Sequence, residues 1–242
     1  MTPSRSNFAA AAIIAIALIA IYAMHGTNGP EPSAPKPGAP GPSTFGHDDA
    51  GTFDYYALVL GWAPTYCLTQ GDLRNDAECD DRTPHAFTLH GLWPQYEKGW
   101  PENCRTETKI WVPSDVIANM RDIMPSKNLV IHEYRTHGTC SGLDPERYFA
   151  VSRQLYERIA VPPEFKATDT PLRRSADEIE RQFLAANPWL KPEMISITCR
   201  KGKLLDIRVC FGRDLAPRGC GANEDQDRLC RAGEIALPPI AH

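Results

Sequence analysis

The chain has 242 residues, with 26 Lys and Arg against 30 Asp and Glu, and a formal net charge of −4 when its seven histidines are neutral. That length holds one domain with a substantial core plus accessory segments, and the charge excludes a protein that captures nucleic acid through a large basic field. Protonating all seven histidines would add seven charges to −4 and give +3, so an acidic compartment would reverse the sign.

At the N-terminus Arg5 precedes an apolar run from Phe8 to Met24, FAAAAIIAIALIAIYAM. The run fits either the apolar part of an export signal or a short membrane-spanning segment. Residues 1–25 are therefore expected to be a signal peptide or a signal anchor, and an anchor through residues 8–24 would leave Arg5 inside. Residues 26–51 are dominated by Pro, Gly, Ser and Ala and are expected to form an extended tether ahead of a folded domain at 52–242. Either N-terminal reading exports the domain to a periplasmic, extracellular or luminal space. Eight cysteines, at 67, 79, 104, 140, 199, 210, 220 and 230, then imply a disulfide framework. Their spacing contains no CxxC pair, which disfavours a zinc ribbon, and leaves 105 connectivities open.

FDYYALVLGW (53–62) is an apolar, β-rich run and predicts a buried strand. AFTLHGLW (86–93) alternates before Pro94 and predicts a second. Ser114 is placed to cap a helix running to about Met124, where Pro125 ends it. Lys127 to His137 predicts another helix, stopped by Gly138. PERYFAVSRQLYERI (145–159) starts on a first-turn proline and carries Tyr148, Val151, Leu155 and Ile159 as an apolar stripe. SADEIERQFLAAN (175–187) opens with Ser175 and Glu178 at capping-box spacing. MISITCR (194–200) and KLLDIRVCF (203–211) flank Lys201-Gly202 and predict a hairpin. The order gives an α+β fold, a mostly antiparallel sheet packed with helices. Trp100, Trp111 and Trp189 read as packing residues and His85 as a surface residue; His25, His47 and His242 carry no assigned role.

Two segments carry chemistry. HEYRTHGTC (132–140) begins like a zinc-protease helix, but His132 and His137 are five residues apart and point roughly 140° away from each other. Glu133 and His137, four apart, share a face. The pattern suits proton transfer better than metal binding and counts against a metallohydrolase. In FTLHGLWPQY (87–96), His90 sits at the end of an apolar strand, where a catalytic side chain can be rigidly aimed.

Together the two segments resemble the active-site motifs of the ribonuclease T2 family, matched by Phe87 through Pro94 and by His132 through Cys140. The resemblance extends over about 53–230 and implies metal-independent and cofactor-independent cleavage of single-stranded RNA, with low base specificity, by a monomer. The ribose 2′-hydroxyl attacks its own phosphorus and yields a 2′,3′-cyclic phosphate. By position His137 is implied as general base, His90 as general acid, His132 as a phosphate contact, and Glu133 as a group that positions or polarises the others. Trp93 is implied in a base pocket. The imidazole pKa near 6.5 suits both proton transfers.

Two positions depart from the family pattern. Thr136 stands where a lysine is usual, so a positive charge beside the phosphorane is missing; Arg135, the neighbouring candidate for a substrate contact, lies about 100° round the helix. Gly61 stands where a base-contacting glutamine is usual. These departures keep a second reading open, a catalytically weak or inactive RNA-binding module. The resemblance also implies the disulfides Cys67–Cys79, Cys104–Cys140, Cys199–Cys230 and Cys210–Cys220.

Overall fold

A computed structural model describes residues 49–71, 76–79, 84–107 and 110–240. The expected signal or anchor segment, the tether up to residue 48, and His25, His47 and His242 lie outside these residues. In chain order the regular elements are β1 (Tyr55–Trp62), the short α1 (Ala63–Tyr66), β2 (Phe87–Gln95), α2 (Ser114–Met120), α3 (Lys127–Thr136), α4 (Pro145–Glu157), β3 (Leu172–Arg174), α5 (Ala176–Ala186), β4 (Ile195–Arg200), β5 (Lys203–Gly212), α6 (Gln226–Leu229) and β6 (Ile235–Leu237). No helix among the described residues is long and apolar enough to cross a membrane.

β1 is central. Tyr56, Leu58, Leu60 and Trp62 face the hydrophobic core, while Tyr55, Ala57, Val59 and Gly61 alternate onto the other face. Both sets are largely buried, which is why the sequence reads as an unbroken apolar run. β1 pairs antiparallel with β2 on one side and β5 on the other. β4 continues the sheet beyond β5 through the Lys201-Gly202 turn, whose φ values of 50° and 71° are the successive left-handed pair of a tight hairpin. β6 meets β5 in parallel at Lys203 and Ala236 and pairs antiparallel with β3. These two short strands were not legible in the sequence.

The helices cover the core face. Tyr148, Phe149 and Leu155 of α4 and Ile179 and Phe183 of α5 enter the core. There Trp62 and Phe87 meet edge-on at 4.8 Å between centroids, and Phe87 and Phe183 do so at 5.6 Å. α5 has the expected capping box, Ser175 with Glu178. Four disulfides join Cys67 to Cys79, Cys104 to Cys140, Cys199 to Cys230 and Cys210 to Cys220, the pairs implied by the family resemblance.

Several local expectations are corrected. Pro113, not Ser114, is the N-cap of α2, with no side-chain cap bond, and the helix stops at Met120. α3 does end before Gly138, at Thr136 with His137 as C-cap, but not through a left-handed glycine there: the chain tightens into a 3-10 turn, Gly138–Ser141, and reaches the left-handed conformation only at Gly142, φ 74°. Glycine is still required at 138, because a Cβ there would lie 2.4 Å from the Tyr134 ring. Val151 is only half-buried in α4, and the buried stripe includes Phe149 and Ser152 instead. Trp111, expected to pack, is 68% exposed and sits in the irregular stretch ahead of α2. His85 is half-buried rather than a surface residue.

Candidate active site

The site is built on an irregularity in β2. Val59 pairs with Gly91 and Leu60 with Leu89, so His90 is an extra residue with no partner on β1. Such a bulge shifts the alternation of the strand and re-aims a side chain. Leu89 and Leu92 consequently both enter the core, and His90 and Trp93, three apart, come to share the opposite face. β2 is the edge of the sheet, and its free backbone groups are met by the helical layer: Leu89 N–H donates to Ile123 O at 2.8 Å, and the Tyr148 hydroxyl donates to Leu92 O at 2.8 Å.

α3 runs beside this edge. Ser126 caps its start, accepting from Leu129 N–H, and Val130 and Tyr134 anchor it in the core. Its far end is held by the Cys104–Cys140 disulfide and by Asn103 N–H donating to Thr136 O at 2.8 Å. Glu133, buried between Val130 and Tyr134 in sequence, is thereby pressed against β2. The Trp93 indole N–H donates to Glu133 Oε2 at 2.7 Å, and His90 Nε2 stands 3.5 Å from Glu133 Oε1. His137 stacks on Trp93, with ring centroids 4.9 Å apart and planes 27° apart. His90 meets Trp93 edge-on at 5.5 Å. Gly91 lets the carboxylate approach; no side chain fits there.

The structure thus brings His90, Trp93, Glu133 and His137 together. His132 is exposed on α3 and lines, with His90, Gly61, Thr88 and Asp206, a cavity of about 570 Å³. Gly61 leaves that cavity open beside His90, since the atoms nearest to a Cβ there would be those of His90 and Thr88, at 3.7 Å or more. Arg135 is exposed and Thr136 half-buried. Arg135 lies two helix positions, about 200°, from the buried Glu133, so it is not brought into the cluster.

Burial dominates the electrostatics. It pushes the Glu133 carboxyl up to about 8, with the Trp93 N–H pulling back. It pulls His137 down to about 3, helped by the nearby His90, His132 and Arg208 charges. His90 is also held below its ordinary value, by desolvation and by Arg208 and His132, against the opposing pull of Asp206. Its side chain is still 43% exposed and reachable from the cavity. The His137 Nδ1 atom is buried and has no hydrogen-bond partner among the described residues. Among those residues no group of three or more His, Cys, Asp or Glu is placed to hold a metal ion.

Sequence reasoning missed the β5 side of the site. Asp206 and Arg208 alternate with the core residues Ile207, Val209 and Phe211 and reach over the small β1 residues toward β2. The Arg208 guanidinium lies 5.1 Å from the Trp93 ring centroid. The alternation of charged and apolar residues along DIRVCF was the available signal.

Comparison with known proteins agrees with this architecture. A ribonuclease of Aeromonas hydrophila is 36% identical over 110 residues, 46% of this chain and 48% of that protein. A probable ribonuclease of Haemophilus influenzae is 26% identical over 187 residues, 72% of this chain and 64% of that protein. The matches to these two relatives therefore cover about half to just under two thirds of their length. The solved structure of trichomaglin, described as a novel S-like ribonuclease, matches 78% of this chain and 99% of its own with a TM-score of 0.62 and 24% identity, which speaks for the fold. Residues 53–220, more than half of the chain, match the profile of one family. The chain belongs to the ribonuclease T2 family.

Proposed function

We propose that this protein is an endoribonuclease that cleaves single-stranded RNA by internal transesterification, without metal or cofactor. The observation that carries the reading is the convergence of two imidazoles from separate chain segments on one Trp93–Glu133 pair. His137 is the general base. Its depressed pKa keeps it neutral, the form a base needs, over most of the pH range. As the 2′-oxygen attacks phosphorus, its proton passes to His137, and the departing 5′-oxygen takes a proton from His90. The products are a 2′,3′-cyclic phosphate and a free 5′-hydroxyl.

Glu133 and His90 act as a pair. With the carboxyl raised to about 8, Glu133 holds a proton at neutral pH next to His90 Nε2. The pair rather than either residue titrates, and it supplies the proton to the leaving oxygen. The exposed His132 contacts the phosphate, and the cavity beside it takes a base flanking the scissile bond. With Gly61 in its wall, that cavity gives little discrimination between bases. The four disulfides and the apolar N-terminal run support export of the domain on a tether, behind a signal peptide or anchor.

The test uses an RNA oligonucleotide with a single 2′-deoxy position. Cleavage at every linkage except the one following that nucleotide supports an internal 2′-nucleophile. Cleavage at the modified position sinks the mechanism, and binding without any cleavage supports the inactive module instead.

A further inference from the structure

The fold holds a charged side chain behind the site that the two-histidine reaction does not use. Arg208 is on β5, and its side chain is only 17% exposed. A buried cation is costly unless closely paired, and here two carboxylates hold it. Arg208 Nε donates to Asp206 Oδ1 at 3.0 Å, and Nη1 lies 3.4 Å from Glu224 Oε1. Glu224 is itself buried and accepts from the Tyr55 hydroxyl. Asp206, Glu224 and Tyr55 come from β5, the 3-10 turn Ala222–Glu224 and β1, so three parts of the chain fix one guanidinium.

What it faces is Trp93. The guanidinium carbon lies 5.1 Å from the indole centroid, within the range of a cation–π contact. That indole donates to Glu133, stacks on His137 and meets the edge of His90. A displaced indole would therefore disturb every other member of the cluster.

We propose that Arg208 is a positioning residue of this site: clamped by Asp206 and Glu224 against Trp93, it fixes the indole that carries Glu133 and His137 and places a permanent positive charge behind both imidazoles. The proposal rests on the reading of His90 and His137 as the proton-transfer pair. It also supplies, from β5, a charge that Thr136 on α3 does not. The electrostatics agree in sign, since Arg208 lowers the pKa of both histidines. The groups facing those imidazoles are His132 and Glu133 from α3, Asp206 and Arg208 from β5, and Trp93 from β2, with Glu224 and Tyr55 behind Arg208 and Tyr148 of α4 behind Glu133.

The test compares the wild-type protein with Arg208→Lys, Arg208→Gln and the double variant Arg208→Gln/Glu224→Gln, which removes the cation without leaving Glu224 unpaired. The pKa of His90 is read by NMR titration, and kcat and KM are measured on RNA across pH. Loss of the cation should raise the His90 pKa by about one unit. It should also lower kcat about tenfold with a smaller change in KM, while Arg208→Lys retains the wild-type pKa and most of kcat. An unmoved His90 pKa in the folded double variant, or an Arg208→Lys protein no better than Arg208→Gln, overturns the proposal. A wild-type protein that leaves RNA intact would overturn the proposed reaction, and the NMR shift would still report on Arg208.

Discussion

The Glu133 carboxylate stands so close over Gly91 that a β-carbon there would lie 2.1 Å from Glu133 Oε2 and 2.6 Å from Trp93 Nε1. The glycine of the first motif is therefore a space requirement of the second. Gly91→Ala should displace Glu133 or Trp93 and lower kcat by at least about tenfold, as misplacement of a catalytic constellation does. Far-UV circular dichroism should show an intact fold. Wild-type turnover in Gly91→Ala would mean that the carboxylate can move without consequence.

Glu133 is 1% exposed, and its proton affinity has a consequence for stability. Its folded pKa, about 8, lies above the ordinary 4.5. The unfolded chain releases the proton first, so this residue costs no stability below about 4.5 and costs progressively more as the pH rises toward 8. Glu133→Gln keeps an acceptor for Trp93 and removes that cost. Its melting temperature should match wild type near pH 4 and exceed it by at least about 2 °C at pH 8, the response to roughly 1 kcal/mol in a domain of this size. Catalysis should fall in the same variant. An equal stability difference at both pH values would contradict the raised pKa.

The same shifts set the pH range of the reaction. A base fails once protonated, so His137 limits the rate on the acid side near its value of about 3. An acid fails once deprotonated, so the His90–Glu133 pair limits it on the alkaline side, no higher than about 8. The profile of kcat/KM should be a bell between these limbs. A rate still rising above pH 9 would exclude this assignment.

Thr136 ends α3 with its carbonyl held by Asn103 N–H and its side chain half-buried. A lysine there would extend a second cation toward the phosphate from the helix side. Thr136→Lys should raise kcat by about tenfold, the scale of a single added electrostatic contact. It should also offset part of the loss in Arg208→Gln. Steady-state kinetics on RNA decide, and an unchanged or lower kcat in Thr136→Lys would contradict the view that positive charge is limiting.

The two motifs were legible because each lies within one short segment, and the 3.6-residue period separates His132 from the Glu133–His137 face. The capping box of α5 and the Lys201-Gly202 hairpin were legible for the same local reason. The bulge at His90 was not, because it exists only in register with β1, and the motif gives no sign that Leu89 and Leu92 share the core side. Arg208 and Glu224 were hidden for a related reason. Each is an ordinary charged residue in its own segment, and only the sheet brings them behind Trp93. Gly138 misled because a glycine at a helix end usually marks the left-handed stop, whereas here it makes room for Tyr134.

The most direct measurement is product analysis of single-stranded RNA cleaved in EDTA by the wild-type protein, His90→Ala and His137→Ala. The expected result is cleavage by the wild type that leaves 2′,3′-cyclic phosphate ends, with a loss of about a hundredfold or more in either variant. Loss of wild-type activity in EDTA, linear phosphate ends formed without a cyclic precursor, or full activity in either histidine variant would contradict the account.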